Sequence, residues 1–262
     1  MIASAARDAP QASELPVGEP ACRRSLDLSF DVLGGPVVAI CGLCGGAGTS
    51  TLAYTLAAAA AKSSTQPVFA CETSGMTGGL ALYARAQPGV SLTQAANQLA
   101  TGTAPAGLVV SSPEEVRILA SRPALTEDCN PDGAVRILAE ARAAGGLVVL
   151  DCGTAAHAVD QNMLAVATHV LWVIPTTPSG AARAAPALKL LREFPHGRQA
   201  LVARLDRNEH GMAVSPLADL AHCWELELIL FPHVEDIARA LVEEAIDEAQ
   251  VALQAIAAVL RG

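Results

Sequence analysis

The sequence predicts an α/β protein with a doubly wound, mostly parallel sheet and helices on both faces. Three observations lead to this fold class. Short apolar runs rich in β-branched residues recur along the chain, Ala-rich segments with helical spacing separate them, and a Gly-rich turn follows the first run. Strands that are apolar on both sides are typical of parallel sheets that helices cover on both faces.

Predicted strands and helices alternate in the first half of the chain. Apolar runs predict strands at residues 37–41, 67–71 and 107–110, and helices are expected at residues 50–62 and 90–100. Ser112-Pro113-Glu114-Glu115 predicts a helix start, because serine caps helices, proline suits the first turn and acids favour the positive end of the helix dipole. Asn130 and Pro131 give the same signal before a helix over residues 134–143.

The second half repeats this alternation. Residues 146–151 (GLVVLD) predict a wholly apolar strand that an acid closes. Further strands are predicted at residues 170–174, 200–205 and 227–231, and helices at residues 182–194 and 234–261. Because no repeat and no long linker interrupts the pattern, we expect a single domain over residues 26–262. The Pro-, Ala- and Ser-containing residues 1–25 are expected to form a flexible N-terminal arm.

Composition narrows the class of protein. The 262 residues are 52% hydrophobic with mean hydropathy +0.37, which predicts a large core, and no apolar run reaches the roughly 20 residues of a membrane span. Without a secretory h-region near the N-terminus, and with an odd number of cysteines, seven, the chain is expected to be cytoplasmic. The net charge of −9 argues against a broad nucleic-acid surface, and the acidic polar face of residues 234–261 argues against a membrane-targeting helix.

Candidate site residues follow the predicted strands, because ligands of doubly wound folds bind beyond the carboxyl ends of the strands. A Gly-rich turn that leads into a helix N-terminus offers backbone N–H groups and the positive dipole end to phosphate. Ser50 is placed like a hydroxyl that ligates Mg²⁺, and Asp151 like the acid that holds this ion through water. The candidate phosphate-binding residues are Gly45, Gly46, Ala47, Gly48, Thr49, Ser50 and Thr51.

These residues resemble a known family. GGAGTST at residues 45–51 is similar to the deviant P-loop, KGGxGK[ST][ST], of the MinD/ParA-type ATPases, which are SIMIBI-class P-loop NTPases. Further similar segments follow in the same order: VFACE at residues 68–72, LVVLDCG at 147–153, LVARLD at 201–206 and LILFPHV at 228–234. The resemblance implies a Rossmann-like three-layer sandwich that binds ATP or ADP with Mg²⁺. It also implies catalytic roles for Asp151 and Glu72. For Glu72 the alternative is an exposed acid in the loop after the strand, without a catalytic role. The LDCG segment and the run at 107–110 favour the CpaE/TadZ-like branch, whose members help to place pilus or secretion machinery.

The chain departs from the family pattern at three polar positions. The P-loop lysine falls at Thr49, the signature lysine at Cys44, and the adenine-side asparagine at Ala203 or Arg204. A lost lysine–phosphate hydrogen bond is worth about 1.5–3 kcal/mol. We therefore expect a degenerate Walker A loop that binds nucleotide weakly and hydrolyses it inefficiently, in a localisation or assembly factor for pilus, secretion, conjugation or septum placement. Protein partners and a homodimer are expected on the same resemblance.

The sequence is also compatible with two other functions. The first is an active Mg²⁺-dependent ATPase in which an arginine, such as Arg183 after the strand at 170–174, replaces the missing lysines. The second is a metal protein in which thiolates at the strand ends hold zinc or an iron–sulfur cluster. Its candidate ligands are Cys41, Cys44, Cys71 and Cys152.

Overall fold

Strands and helices alternate along the computed structural model, which describes residues 28, 34–74, 79–86, 90–103, 109–119, 129–191, 197–206, 214–234 and 242–262. Within these ranges the strands are β1 (Val37–Gly42), β2 (Val68–Glu72), β3 (Val110–Ser111), β4 (Arg117–Leu119), β5 (Leu147–Asp151), β6 (His169–Pro175), β7 (Arg198–Arg204) and β8 (Glu227–Phe231). The helices there are α1 (Thr49–Ser63), α2 (Gly79–Tyr83), α3 (Leu92–Ala100), α4 (Pro131–Ala144), α5 (Ala158–Val166), α6 (Pro178–Leu191), α7 (Val214–Cys223), α8 (Val242–Glu248) and α9 (Gln250–Arg261).

All eight strands belong to one sheet, in the order β3-β4-β2-β5-β1-β6-β7-β8. Its pairs are parallel except for β3 with β4, and β1 lies between β5 and β6 with Ile40 opposite both Asp151 and Leu171. The predicted fold class, a mostly parallel sheet with helices, is therefore confirmed. The strand order also brings the carboxyl ends of β1, β2 and β5 side by side.

The apolar core lies on both faces of the sheet, because strand residues alternate between them. On one face Val38 and Ile40 of β1 pack with α1, α8 and α9. On the other face Val37, Ala39 and Cys41 of β1 pack with helices α3 to α7. This double cover explains why the central strands read as continuous apolar runs.

The helix start predicted at Ser112 is wrong. Residues 112–116 form a turn in which the Ser112 N–H donates to the Val116 carbonyl (2.9 Å) and Glu115 has a left-handed φ of 63°. The chain reverses there into β4, whose Ile118 is buried opposite Ala70 of β2. Pairing with the sheet outweighs the local capping signal.

Two predicted segments differ in position from the structure or lie beyond the described residues. Strand β3 covers Val110–Ser111, and residues 107 and 108 of its predicted span lie outside the described ranges. The expected arm at residues 1–25 lies outside them as well. In the described part of the chain, no helix combines the length and apolarity that crossing a membrane requires.

Candidate functional site

The Gly-rich loop joins β1 to α1 at the centre of the sheet. It is fixed at its start by the Gly42 N–H, which donates to the Gly153 carbonyl (2.6 Å), and by the Leu43 N–H, which donates to the Val173 carbonyl (2.9 Å). Gly46 and Gly48 adopt left-handed φ values of 72° and 98°, which glycine tolerates without a Cβ penalty. Since no side chain among the described residues caps α1 at Gly48, the first N–H groups of this helix remain available to an anion.

Asp151 closes β5 beside this loop and is buried, with 3% of its surface exposed. The Ser50 hydroxyl donates a hydrogen bond to Oδ2 of Asp151, and the Gly153 N–H donates to Oδ1 (3.2 Å). Burial raises the pKa of Asp151, and the hydrogen bonds from Ser50, Gly153 and Thr49 oppose this rise. The structure thus brings together the two side chains that the sequence predicts as a magnesium pair.

Glu72 lies at the end of β2 in register with Asp151 and is also buried, so it is not an exposed loop acid. Its Oε1 accepts a hydrogen bond from the Gly79 N–H (3.0 Å), the first residue of α2. At the other end of α2, the hydroxyl groups of Tyr83 and Thr51 lie 3.2 Å apart, within hydrogen-bonding distance. Short helix α2 is therefore attached both to the β2 acid and to the first turn of α1.

Asp160 is a site residue that the sequence analysis missed. This buried acid in the first turn of α5 accepts hydrogen bonds from the Thr73 hydroxyl and from the His157 N–H (3.2 Å). Burial raises the pKa of Asp160, against the effect of these bonds. The signal in the sequence is slight, because the acid is preceded by no usual capping residue.

A cleft of about 450 Å³ joins these groups. The loop at residues 44–51 forms one wall, and the carboxyl groups of Glu72, Asp151 and Asp160 contribute to the others. Arg204, the last residue of β7, is the cationic side chain of the described lining. Arg183, which the sequence suggests as a replacement cation, is instead exposed on α6 and lies outside this lining.

Comparison with known proteins shows the fold. No protein-family model matches the chain, and no curated protein does. A ParA family ATPase from Chlorobium tepidum TLS is similar over 85% of this chain and 97% of its own, at 17% identity and TM-score 0.69. The MinC:MinD cell division protein complex from Aquifex aeolicus is similar over 87% and 96%, at 16% identity and TM-score 0.68.

The chain has the fold of the MinD/ParA-type P-loop ATPases. A third similar structure is the septum site-determining protein MinD from Pyrococcus horikoshii OT3, which is complexed with Mg-ADP. It is 15% identical and covers 85% of this chain and 94% of its own, with TM-score 0.65. At these identities the likeness establishes the fold, and the CpaE/TadZ-like assignment stays a prediction.

On the MinD/ParA-type fold the four strand-end cysteines act as packing residues. Cys41, Cys71 and Cys152 are buried, and Cys44 is partly buried against the apolar core. Burial raises the pKa of Cys41 and Cys71, as expected of thiols enclosed in an apolar core. In the described ranges no group of three or more His, Cys, Asp or Glu residues is placed to hold a metal ion, so the geometry gives the metal-protein alternative no support.

Proposed function

We propose that the cleft binds the phosphate chain of ATP or ADP together with Mg²⁺, weakly and without efficient hydrolysis. The observation that carries this proposal is the Gly-rich loop, whose helix N-terminus opens beside the Ser50–Asp151 pair and holds threonine at the lysine position. Backbone N–H groups and the helix dipole bind phosphate without any side-chain charge. The proposal therefore relies on the backbone of the loop to hold phosphate and assigns no side-chain charge to the loop itself.

Mg²⁺ fits the groups on this side of the cleft. The ion prefers oxygen ligands and retains several waters, so it binds through one or two protein groups and the phosphates of a substrate. Ser50 would hold it directly and Asp151 through water. The ion, when bound, neutralises phosphate charge, and its own charge would offset the burial that raises the pKa of Asp151 and Asp160.

Weak binding and slow turnover follow from the substitutions at Thr49 and Cys44. Loss of a charge-assisted lysine–phosphate bond lowers affinity by about ten- to a hundredfold. Phosphoryl transfer is more sensitive, because it depends on positive charge placed at the developing negative charge. We therefore expect the nucleotide to act as a conformational or assembly signal in a protein that is not an efficient enzyme.

The role proposed for the whole protein is localisation or assembly through protein partners, in a pilus, secretion, conjugation or septum system. Support comes from the similar structures, which include a MinC:MinD cell division complex and a septum site-determining protein. The support for this role is an analogy at the level of the fold, and a homodimer is proposed on the same basis. Fluorescence microscopy of the tagged full chain in its source cell tests this role: discrete sites support it, and a uniform signal contradicts it.

A second candidate function is a Mg²⁺-dependent ATPase in which an arginine replaces the missing lysines. Arg204 favours it, because this side chain lines the cleft at the Gly-rich loop. Phosphate release measured at several protein concentrations separates the two candidates. Turnover above the buffer blank that disappears in Asp151→Ala would replace the first proposal with the second.

A further inference from the structure

Arg204 occupies a defined position above the Gly-rich loop. Its backbone is part of the sheet, where it pairs with Pro175 of β6 and Phe231 of β8, and its carbonyl accepts the Thr176 N–H (2.9 Å). From this fixed point the side chain extends past β6 to the loop that follows β1. The contact of Arg204 with this loop therefore depends on the strand order β1-β6-β7 and cannot be inferred from the sequence alone.

The side chain lies directly against Gly48, where α1 begins. A Cβ at position 48 would lie 2.9 Å from Cδ, 3.4 Å from Nε and 3.7 Å from Nη1 of Arg204. Only glycine leaves room for this approach, and its left-handed φ of 98° turns the loop into the helix at the same point. The guanidinium is thus held next to the first N–H groups of α1, which are the anion-binding groups of the loop.

The guanidinium has no acceptor in the described residues. Nε is buried and makes no hydrogen bond, and no carboxylate of the described cleft lies within ion-pair distance of Arg204. Buried donors are almost always paired, so an unpaired Nε on a side chain that lines a cleft favours an acceptor from a ligand over a purely structural role. The neighbouring helix N-terminus favours an anion as that ligand.

We propose that Arg204 is the cation of this phosphate site, donating from the end of β7 to a phosphate group of the bound nucleotide in place of the lysines absent at Thr49 and Cys44. The proposal rests on the function proposed above, since it assigns a residue to the same site. A planar guanidinium suits this role because it can donate two parallel hydrogen bonds to phosphate oxygens. A purely structural role, in which only the aliphatic stem packs on Gly48, is the competing explanation.

Calorimetric titration of the full chain with Mg-ADP, and separately with inorganic pyrophosphate, distinguishes these explanations. Arg204→Met keeps an aliphatic stem over Gly48 and removes the charge, and we expect it to weaken both ligands by about ten- to a hundredfold. Arg183→Met removes an exposed arginine of α6 and serves as the matched control, with unchanged affinity. Adding Thr49→Lys to Arg204→Met returns a cation to the loop and is expected to restore binding.

Each outcome decides between the claims. Equal affinity of Arg204→Met and the wild type overturns the role of Arg204 and leaves the proposed function intact. Failure of the wild-type chain to bind either ligand at millimolar concentration overturns the proposed function, and the role of Arg204 with it. Should Arg204→Met not fold, the Nε–H resonance of Arg204 in ¹⁵N-arginine-labelled wild type, assigned with Arg204→Lys, gives the answer: a shift on saturation with pyrophosphate supports the role, and an unmoved resonance overturns it.

Discussion

Removal of the Ser50 hydroxyl tests the geometry at the centre of the site. This hydroxyl donates a hydrogen bond to Oδ2 of the buried Asp151. A hydrogen bond to a charged group contributes about 1.5–3 kcal/mol, whereas one between neutral groups contributes about 0.5–1.5 kcal/mol. Ser50→Ala should therefore lower the free energy of unfolding by about 1.5–3 kcal/mol while the carboxyl is ionised.

The same change should have a smaller effect once the charge is gone. In an Asp151→Asn background the partner is a neutral amide, so Ser50→Ala should lose only about 0.5–1.5 kcal/mol. For a chain of this size each kcal/mol corresponds to about 2–4 °C in Tm. The single variant is then expected to melt about 3–12 °C below the wild type.

Urea unfolding and scanning calorimetry of the four proteins in this double-mutant cycle measure the coupling. Ser215→Ala, an exposed serine of α7, is the matched control and should leave Tm unchanged. The reasoning fails if Ser50→Ala has the same effect in both backgrounds, within the roughly 0.5 kcal/mol that independent sites show.

Three further changes test other parts of the site. Burial raises the pKa of Asp151, so the folded chain holds this proton more tightly than the unfolded chain does. The free energy of unfolding should therefore fall as the pH rises from the ordinary pKa of 3.8 through the raised pKa of the folded state. Urea unfolding should show a flatter pH dependence for Asp151→Asn than for the wild type, and an unchanged slope would contradict this. Gly48→Ala should lower the free energy of unfolding by about 1–2 kcal/mol, because the φ of Gly48 is left-handed. Gly45→Ala should change it little, because an added Cβ there would meet open space. Equal effects of the two variants in thermal melts would count against the described loop. Tyr83→Phe removes the hydroxyl that lies beside Thr51 and should destabilise the attachment of α2 by about 0.5–1.5 kcal/mol, seen as faster amide exchange in α2; unaltered exchange would exclude the contact.

The central strands were predictable because their burial leaves a local mark in the sequence. Residues 146–151 read as a continuous apolar run, and the structure places β5 there with helices on both faces. The Ser112 signal failed because the segment after it is held by β2, a contact that local capping rules do not contain. Helix α5 escaped prediction because it does not begin at a usual capping residue, since His157 precedes it.

The candidate site also contains some residues that the sequence predicts and others that it does not. Ser50 and Asp151 were found because loops at the carboxyl ends of parallel strands meet, which needs only the fold class. Asp160 was missed, and Arg204 was not predicted to face the Gly-rich loop, because each reaches the cleft through tertiary contacts, the former through Thr73 and the latter across β6. Arg183 was suggested instead because sequence order gives no side-chain direction, and it faces solvent.

Calorimetric titration of the ligand-free full chain with Mg-ADP tests the central claim most directly. The account predicts saturable binding that requires Mg²⁺ and that disappears in Asp151→Ala, while Mg-ATP gives no phosphate release above the buffer blank. Absence of binding heat at millimolar Mg-ADP, with no accompanying shift in Tm, would contradict the claim that this cleft holds nucleotide.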